Sequence, residues 1–530
     1  MTIKEIFNLT YQVIIPSAGI GSRLKNETKF INKSMVEVNH KPTISHIIEK
    51  FPVNSEFIIP VGYKGEILQN YLEIAHPDLN ITTKCVKQFD GPGTGLGLTL
   101  LEIFKYIDKP FVFISADTIV VDKIPSPDKN WIGYSKVIDN SEYRTLEIVN
   151  GKVNKVNNKL NSDSKNAYIG LAGVKDYERF KELALKNKEE FITLGESLPI
   201  SKFVDKFKPI EFNWLDTGNV QKLNFARQYL QRDSKKKFNI LDKENEKIWF
   251  VNEKVIKFSI DEKFIKERIQ RNIILESYVP KIINHSKNMY SYKFQEGEIL
   301  SEVIDEEKFI HLLSHLENFW DHKQLNEDEQ INFYQNCYEF YKDKSFDRFD
   351  KFSLMYPYTL RQVNLNGNQL QHPLELLNRI DWKNLSYGVP VNFHGDLHFE
   401  NILYSDKGFI FLDWRQSFNN LTEYGDIYYD LAKILHGILL PHHLVKSGEY
   451  SIYESEDNVS LEINLTENTQ KYKETLKNWV IQNNLNFYKV ELITALIFIN
   501  IAPLHHHPYS KFLFYYGLEQ LNKILSDEKN

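Results

Sequence analysis

The sequence predicts an α/β protein with two domains, residues 1–232 and 248–530, joined by a charged linker at 233–247. In the first domain, short apolar strands alternate with helical stretches, which is typical of a layered α/β domain around a mostly parallel sheet. In the second domain, two short strands precede sequence that is mainly helical. A chain of 530 residues is long enough for two domains of ordinary size.

Three strands of the first domain run into polar or glycine-containing loops. They are predicted at Gln12–Pro16, Glu56–Val61 and Pro110–Ser115, with a helix at Thr99–Tyr106. Ligands of such sheets bind at the carboxyl ends of the strands. We therefore expect a site near the loop after the first strand and near Asp117 after the third.

The second domain is predicted to begin with two strands within Ile248–Ser259 and a helix at Glu262–Ser277. From Glu302 onward we expect mainly helices. The exception is Val389–Asp413, where short strands flank a polar loop.

Composition and charge narrow the classes of function. Hydrophobic residues make up 42% of the chain, which supports folded cores, and the net charge of -6 gives no basic excess for binding nucleic acid. Two cysteines argue against a disulfide framework, and Met1–Thr10 lacks the apolar core of a signal peptide. Leu492–Leu504, interrupted by Asn500, is shorter than the roughly 20 apolar residues of a membrane span, so it is expected to be a buried helix. We expect a cytoplasmic protein that does not enter the membrane.

The loop Pro16–Leu24 has the composition of a phosphate-binding turn. Its small residues are Ala18, Gly19, Gly21 and Ser22. Small residues let backbone N–H groups approach a triphosphate, and a following helix N-terminus favours the anion. Arg23 adds a permanent charge, and Lys33 could reach the same phosphates, so both are candidate catalytic residues. An ordinary tight turn is the alternative, and a dinucleotide-binding loop is disfavoured because Leu24 replaces its third glycine.

Two aspartates are candidates for a metal site. Asp117 follows a very apolar strand, where an unpaired carboxylate is costly, and Asp216 lies in Trp214–Gly218. Mg²⁺ prefers carboxylates together with substrate phosphates, so this pair would suit nucleotidyl transfer. The alternative for Asp117 is a cap of the turn at Thr118 and Ile119.

Residues 12–230 resemble the sugar-phosphate nucleotidyltransferase family in both the order and the content of their motifs. The segments that carry the resemblance are SAGIGSRL (residues 17–24), Asn32–Met35, Gly91–Gly97, Ser115–Asp117, Ala167–Ala172 and Trp214–Gly218. The chain departs from the family pattern at positions that bear on the acceptor, namely Asn32, Ser34 and Asn158.

This resemblance implies a Rossmann-like fold and a reaction in which an acceptor phosphate attacks the α-phosphate of an NTP and releases pyrophosphate. It implies nucleotide contacts at Gly93 and Thr94 and an acceptor contact at Lys159. It also makes Asp117 and Asp216 the two metal ligands. Positioning and charge neutralisation would supply most of the rate.

The second domain carries an ordered set of polar residues. Phe393–Asn401 (FHGDLHFEN) precedes an apolar strand that ends in Leu412–Arg415 (LDWR). Asp396 is placed to orient or deprotonate an attacking hydroxyl, and Asn401 and Asp413 are spaced to hold Mg²⁺ on ATP, as kinases require. A turn rich in capping residues is the alternative, which the ordered spacing disfavours.

Residues 245–520 resemble the aminoglycoside phosphotransferase and choline kinase family, which implies a bilobal, protein-kinase-like α+β domain. Lys257 is similar to the lysine that grips the ATP phosphates, with Glu267 as its expected partner and Glu276 as the rival. The segment Tyr292–Leu300 is similar to the hinge that holds adenine.

Three further points follow from the same resemblance. Within the hinge, Gln295 is the candidate nucleotide contact. Asp426 and Asp430 match a segment after the metal aspartate and are expected to be structural or to face the substrate, with Asp430 as the candidate substrate contact. No glycine lies between Lys243 and Lys254, so the loop that covers the phosphates is not glycine-rich.

Together the two domains predict a bifunctional enzyme. The C-terminal domain would phosphorylate a small hydroxyl compound, chiefly a sugar, with ATP, and the N-terminal domain would transfer NMP from a second NTP to that phosphate. The product would be an NDP-activated building block for surface polysaccharide or cell wall, with Mg²⁺ at both sites. One alternative is choline or another amino alcohol, activated as a CDP derivative. Another is that one domain is a non-catalytic nucleotide sensor or scaffold. The expected partners are the acceptor, ATP and the NTP, without nucleic acid, and a homo-oligomer is compatible with the sequence.

Overall fold

The computed structural model describes residues 10–232, 245–357 and 361–527. The chain divides into two compact units, residues 1–262 with 283–294, and residues 263–282 with 295–530. The predicted linker lies mostly outside the described residues. Strands between residues 246 and 293, which the sequence analysis assigned to the second domain, fall almost entirely in the first unit.

The first unit contains one large sheet, several short ladders and the helices around them. Its strands are β1 (Gln12–Ile14), β2 (Glu37–Val38), β3 (Lys41–Pro42), β4 (Glu56–Val61), β5 (Asn80–Cys85), β6 (Phe111–Ile114), β7 (Thr118–Val120), β8 (Trp131–Lys136), β9 (Thr145–Val149), β10 (Lys152–Asn157), β11 (Asn166–Val174), β12 (Lys208–Glu211), β13 (Trp214–Asp216), β14 (Glu246–Val251), β15 (Lys254–Ser259), β16 (Ile282–His285) and β17 (Met289–Lys293). Its helices are α1 (Thr43–Ile48), α2 (Gly65–Ala75), α3 (Leu96–Ile103), α4 (Tyr177–Lys186), α5 (Lys188–Leu194), α6 (Ser197–Lys202) and α7 (Val220–Gln231).

The large sheet has the order β10-β9-β11-β6-β1-β4-β5, and β8 pairs with β11 and β12. Strands β6, β1, β4 and β5 are parallel, whereas β11 is antiparallel to β6. Val13 and Ile14, adjacent on β1, belong to two different buried clusters, so both faces of the sheet are covered. The parallel half is the part of the predicted sheet that carries the loop after β1.

A second sheet of the first unit, β14-β15-β17-β16, begins with a tight hairpin. Asn252 and Glu253 at its turn both have positive φ, 50° and 57°, as a two-residue hairpin requires. Trp249 on β14 is fully buried, and its ring centroid lies 5.2 Å from that of Tyr71 on α2. This sheet therefore shares a hydrophobic core with the large sheet.

The second unit is mainly helical. Its helices are α8 (Glu262–Ile274), α9 (Leu300–Val303), α10 (Glu306–Phe319), α11 (Glu327–Tyr338), α12 (Lys344–Met355), α13 (Pro373–Asn378), α14 (Trp382–Ser386), α15 (Ile427–Leu439), α16 (His442–Ser447), α17 (Glu467–Gln482), α18 (Phe487–Ile501) and α19 (Tyr509–Asp527). Its strands are β18 (Glu298–Ile299), β19 (Val363–Leu365), β20 (Asn368–Leu370), β21 (Pro390–Val391), β22 (Ile402–Ser405), β23 (Gly408–Phe411), β24 (Gly425–Asp426), β25 (Tyr450–Ser455) and β26 (Asn458–Ile463).

Two features of this unit test the sequence analysis. A four-stranded sheet, β20-β19-β26-β25, contradicts the expectation that strands after Glu302 are confined to Val389–Asp413. Its strands contain many polar residues, and much of the sheet is exposed. The sequence therefore lacks the run of apolar residues that predicts a strand. Within the described residues, one helical stretch, Phe487–Leu504, is long and apolar enough to cross a membrane, and 72% of it is buried inside the fold. The prediction of a buried helix there is confirmed.

Candidate active sites

The side chain of Asn32 stabilises the loop after β1. This fully buried side chain donates through Nδ2 to the backbone oxygens of Ser17, at 2.8 Å, and Tyr63, at 2.7 Å. Gly21 has φ 73°, and a Cβ there would lie 2.7 Å from Lys33 Cβ. Only glycine fits this position without strain, and the close approach places Lys33 beside the loop.

The loop exposes the charged residue predicted to meet phosphates. Ala18 is buried, Gly19 is partly buried, and Ser22 and Arg23 are exposed. The segment that follows, Ser22–Thr28, is a kinked 3-10 helix rather than an α-helix. The expected α-helix N-terminus is therefore replaced by a 3-10 turn at this position.

The two candidate metal aspartates converge at Gly218. A methyl group built on Gly218 would lie 3.0 Å from Asp216 Oδ1, 3.5 Å from Asp117 Oδ2 and 3.3 Å from Arg23 Nη2. The cause is the antiparallel ladder of β7 and β13, which pairs Asp216 with Thr118, the residue after Asp117. Two carboxylates and a guanidinium thus face one small space, a donor set that fits Mg²⁺ carrying a polyphosphate.

Further side chains contact these carboxylates, and two of them, Tyr143 and Lys222, were not predicted from the sequence. Lys33 Nζ lies 3.9 Å from Asp117 Oδ2. Tyr143 donates to Asp216 Oδ2 at 2.8 Å, and Lys222 Nζ lies 2.9 Å from the same oxygen. Burial alone would lower the pKa of Lys222, but its bonds to Glu142, Tyr143 and Asp216 raise it, so this lysine stays charged. The spacing of Lys222, six residues after Asp216, gave no recognisable signal.

The remaining predicted residues of this site lie on loops. Gly91 and Gly93 have φ values of 94° and 79°, and Thr94 donates to the Gly91 oxygen at 2.6 Å, which shapes the segment expected at the nucleobase. Lys159 is exposed after β10. Partial burial and then the charges of Arg23 and Arg144 lower the pKa of Lys159, which places it within the same positive region.

In the second unit, Asp396 lies at the centre of a charged network. Its Oδ1 is 2.7 Å from Lys433 Nζ, and its Oδ2 is 3.5 Å from His398 Nε2. Burial alone would raise the pKa of Asp396, but Lys433 and His398 hold it well below its ordinary value. Asp396 and Glu400 raise the pKa of His398 to about 9, against the effect of burial. Asp396 is therefore an ionised carboxylate, as an orienting or accepting group requires.

The two candidate Mg²⁺ ligands of this unit are brought together by a hairpin. The N–H of Leu412, the residue before Asp413, donates to the backbone oxygen of Asn401 at 2.7 Å. Asn401 Nδ2 donates to the Asp396 backbone oxygen at 2.9 Å, so its amide oxygen is the atom suited to a metal. Asp413 has φ 57°, and Arg268 Nη1 lies 2.6 Å from its Oδ1. When bound, Mg²⁺ would neutralise phosphate charge between these two side chains.

Asp430 is not placed to contact a substrate, contrary to its assignment as a substrate-binding residue. It is fully buried on α15. Its Oδ1 accepts from the N–H of Gly395 at 2.7 Å, and its Oδ2 accepts from the N–H of His394 at 2.8 Å and from Trp320 Nε1 at 3.1 Å. Asp430 therefore positions the backbone that carries Asp396. Asp426 is likewise fully buried and accepts from Tyr341 at 2.7 Å.

The nucleotide contacts expected of the second domain are divided between the units. Lys257 lies on β15 in the first unit, and Glu267 lies on α8 in the second, 3.6 Å from Lys263. Gln295 follows β17 and belongs to the second unit. The pairing of Lys257 with Glu267 and the adenine contact of Gln295 stay predictions.

Comparison with known proteins agrees with this two-part construction. Residues 308–444, which include Asp396, Asn401 and Asp413, match the phosphotransferase enzyme family. The N-terminal region is similar to the bifunctional protein GlmU of Methanocaldococcus jannaschii, with 27% identity over 227 residues, which are 41% of this chain and 53% of that protein. It is also similar to the mannose-1-phosphate guanyltransferase of Candida albicans, with 25% identity over 250 residues, which are 42% of this chain and 66% of that protein.

A solved structure of UDP-glucose pyrophosphorylase from Acinetobacter baumannii superimposes with a TM-score of 0.37 at 16% identity, covering 43% of this chain and 95% of that one. The chain spans about half the length of the GlmU relative that it matches. The predicted combination of folds is confirmed: a Rossmann-like domain with a sheet rich in parallel strands precedes a kinase-like domain. The chain joins an N-terminal region that matches sugar-phosphate nucleotidyltransferases to a C-terminal domain that matches the phosphotransferase enzyme family.

Proposed function

We propose that the chain is a bifunctional enzyme whose two reactions are consecutive. The C-terminal site transfers the γ-phosphoryl group of ATP to a hydroxyl of a small acceptor, chiefly a sugar. The N-terminal site transfers NMP from an NTP to the resulting phosphate and releases pyrophosphate. The product is an NDP-activated building block, and its use in surface polysaccharide or cell wall, like a cytoplasmic location, is part of the proposal.

One observation supports the proposal above the others. Each unit has its own set of acidic and amide side chains arranged for phosphate chemistry: Asp117 and Asp216 converge with Arg23 at Gly218, and Asp396 lies beside Asn401 and Lys433. In the first site Arg23, Lys33 and Lys222 would bind and orient phosphates. In the second, Asp396 would orient the attacking hydroxyl and accept its proton. Mg²⁺ would neutralise the phosphate charge at both sites. Joining the two sites on one chain raises the local concentration of each near the other.

The test uses the full chain with free acceptor, Mg²⁺, ATP and each common NTP. Consecutive reactions should give ADP, pyrophosphate and NDP-linked product in equal amounts. Asp396→Asn and Asp413→Ala should stop product formation from the free acceptor, and the phosphorylated acceptor should restore it. Asp117→Ala and Asp216→Ala should stop pyrophosphate release but not ADP release. If the phosphate ester made by the C-terminal site is consumed with none of the NTPs, the two activities are not consecutive.

A further inference from the structure

Four cationic side chains lie near Asp396. We call them the basic cluster, and they are Lys344, Arg348, Arg415 and Lys433. Lys433 is already paired with Asp396, at 2.7 Å. Lys344 Nζ lies 4.2 Å from the ring centroid of Phe340, and Arg415 Cζ lies 5.1 Å from the same centroid. Two cations therefore lie close to one aromatic ring, and one of them, Arg415, packs against Gly395, the residue before Asp396. Arg348 follows Lys344 by four residues on α12, which places both on one face of that helix.

Such a cluster is electrostatically unfavourable by itself. Burial, followed by the charges of Arg415, Lys433 and Arg348, lowers the pKa of Lys344. Within the described parts of the chain, none of Lys344, Arg348 and Arg415 forms an ion pair with a carboxylate. Cations held together in a partly buried recess favour an anion between them. We therefore expect an anionic group of a ligand to bind among these cations.

Two anions could balance this charge, the phosphates of ATP and an anionic group of the acceptor. Asp396 must face the hydroxyl of the acceptor, so cations around Asp396 face the acceptor as well. Lys433, in contact with Asp396, is placed to meet the phosphoryl group during transfer. Lys344 and Arg348 belong to α12, whereas the candidate Mg²⁺ ligands flank the hairpin of β22 and β23, with Asn401 directly before it and Asp413 shortly after it.

We propose that the acceptor of the C-terminal site carries a fixed anionic group, a carboxylate or a phosphate, which Lys344, Arg348 and Arg415 bind while its hydroxyl is phosphorylated. This inference rests on the proposed kinase function of the same site. It disfavours choline, because a quaternary ammonium needs aromatic faces without competing cations, and Lys344 covers both Phe340 and Tyr429, at 4.2 and 5.4 Å. The acceptor class is therefore a hydroxy acid, such as a sugar acid, or a sugar phosphate.

Binding of simple anions tests the inference without knowledge of the natural acceptor. The full chain is saturated with Mg²⁺ and a non-hydrolysable ATP analogue, so that the γ-phosphate position is filled, and is titrated with inorganic phosphate, acetate, glycerol and choline. Lys344→Met should weaken anion binding by about tenfold or more. Lys351→Met, at an exposed position of the same helix, is the matched control and should bind as the wild type does. Anion sites in the first unit are common to all variants and cancel in the comparison.

The titrations with phosphate and acetate distinguish the two anionic groups that the acceptor could carry. Tighter binding of phosphate indicates a phosphorylated acceptor, and tighter binding of acetate indicates a carboxylic acid. Equal anion affinity in the wild type and in Lys344→Met, or a preference for choline, overturns the inference. Arg348→Gln provides the same comparison if Lys344→Met does not fold.

Turnover distinguishes this inference from the proposed function. With any acceptor that is phosphorylated, Lys344→Met should raise the KM for the acceptor and leave the KM for ATP unchanged. A raised KM for ATP alone would assign the basic cluster to the nucleotide and overturn the inference. If Asp396→Asn retains full ADP release, the kinase function itself fails. Loss of activity in Asp396→Asn together with no anion effect would overturn only the acceptor class.

Discussion

The ammonium group of Lys433 lies 2.7 Å from Asp396 Oδ1. Lys433 follows Asp430 on α15 by about one helical turn. Asp430 accepts from the backbone N–H groups of His394 and Gly395. One buried helix therefore sets both the backbone position and the charge environment of Asp396. The two roles can be separated by substitution, because Lys433 acts on the side chain of Asp396 and Asp430 acts on the loop.

Lys433→Met should lower the kcat of phosphorylation by about 10²-fold, because Asp396 loses the charge that orients it. Lys433→Arg keeps the charge and should recover part of the activity. ADP release at saturating ATP measures both. Lys407→Met, an exposed lysine on the turn between β22 and β23, is the control and should be neutral. Activity of Lys433→Met within twofold of the wild type would show that the ion pair has no catalytic importance.

Asp430→Asn should lower both kcat and stability, because one oxygen is replaced by an amide N–H₂ that faces other donors. A buried donor without an acceptor costs about 1–3 kcal/mol. Thermal unfolding and steady-state kinetics would be measured together. The KM for the acceptor should change little. An increase in that KM without loss of stability would restore Asp430 as a substrate contact.

Gly218→Ala should impair nucleotidyl transfer selectively. The added methyl would lie 3.0 Å from Asp216 Oδ1 and 3.3 Å from Arg23 Nη2, which displaces the side chains expected to meet metal and phosphate. The required shift is a few tenths of an ångström, and because a misplacement of about 1 Å can cost roughly 10²-fold in rate, we expect a smaller loss than that. Pyrophosphate release with a pre-phosphorylated acceptor measures the effect, and ADP release by the same protein is the internal control. Unchanged pyrophosphate release would mean that the reacting groups do not meet at Gly218.

Stability of the first unit should fall below neutral pH because of His76. Burial lowers the pKa of His76 to about 4, from an ordinary value of 6.5, and its ring nitrogens lie 2.8 Å from Ser45 Oγ and 3.2 Å from Asn252 Nδ2. The unfolded chain binds a proton below pH 6.5 and the folded protein binds it only below about 4. Stability is therefore complete above 6.5 and is lost as the pH falls between these values, by about 2 kcal/mol from pH 7 to pH 5.

Unfolding of the wild type and His76→Gln at pH 7 and pH 5 checks this expectation. The variant should be less stable at pH 7 and should lose less stability at pH 5. His285→Gln, at an exposed position, is the control and should keep the pH dependence of the wild type. An identical pH dependence in all three proteins would exclude His76 as its source.

Local sequence determined much of the secondary structure and the choice of candidate residues. Strand β4 has the predicted bounds, Glu56–Val61, because a run of apolar residues ending at Gly62 allows few alternatives. Two strands on either side of Asn252 and Glu253 were also predicted, because two short strand-like runs flank these residues. Asp117 and Asp413 were found by their position after apolar strands, and Asp396 was found by the ordered spacing of polar residues in Phe393–Asn401. Their catalytic and metal-binding roles stay predictions.

The partners of those aspartates were decided only by the tertiary structure. Tyr143 meets Asp216 across 73 residues of chain, and Arg268 meets Asp413 across 145. No local pattern encodes such pairs, because they depend on how sheets and helices pack. The packing of Trp249 against Tyr71 is another contact that no local pattern encodes. It places the strands that follow the predicted linker in the core of the first unit. The sequence by itself therefore determined which residues are suited to phosphate chemistry, whereas packing over long separations decided the charges around them and the basic cluster beside Asp396.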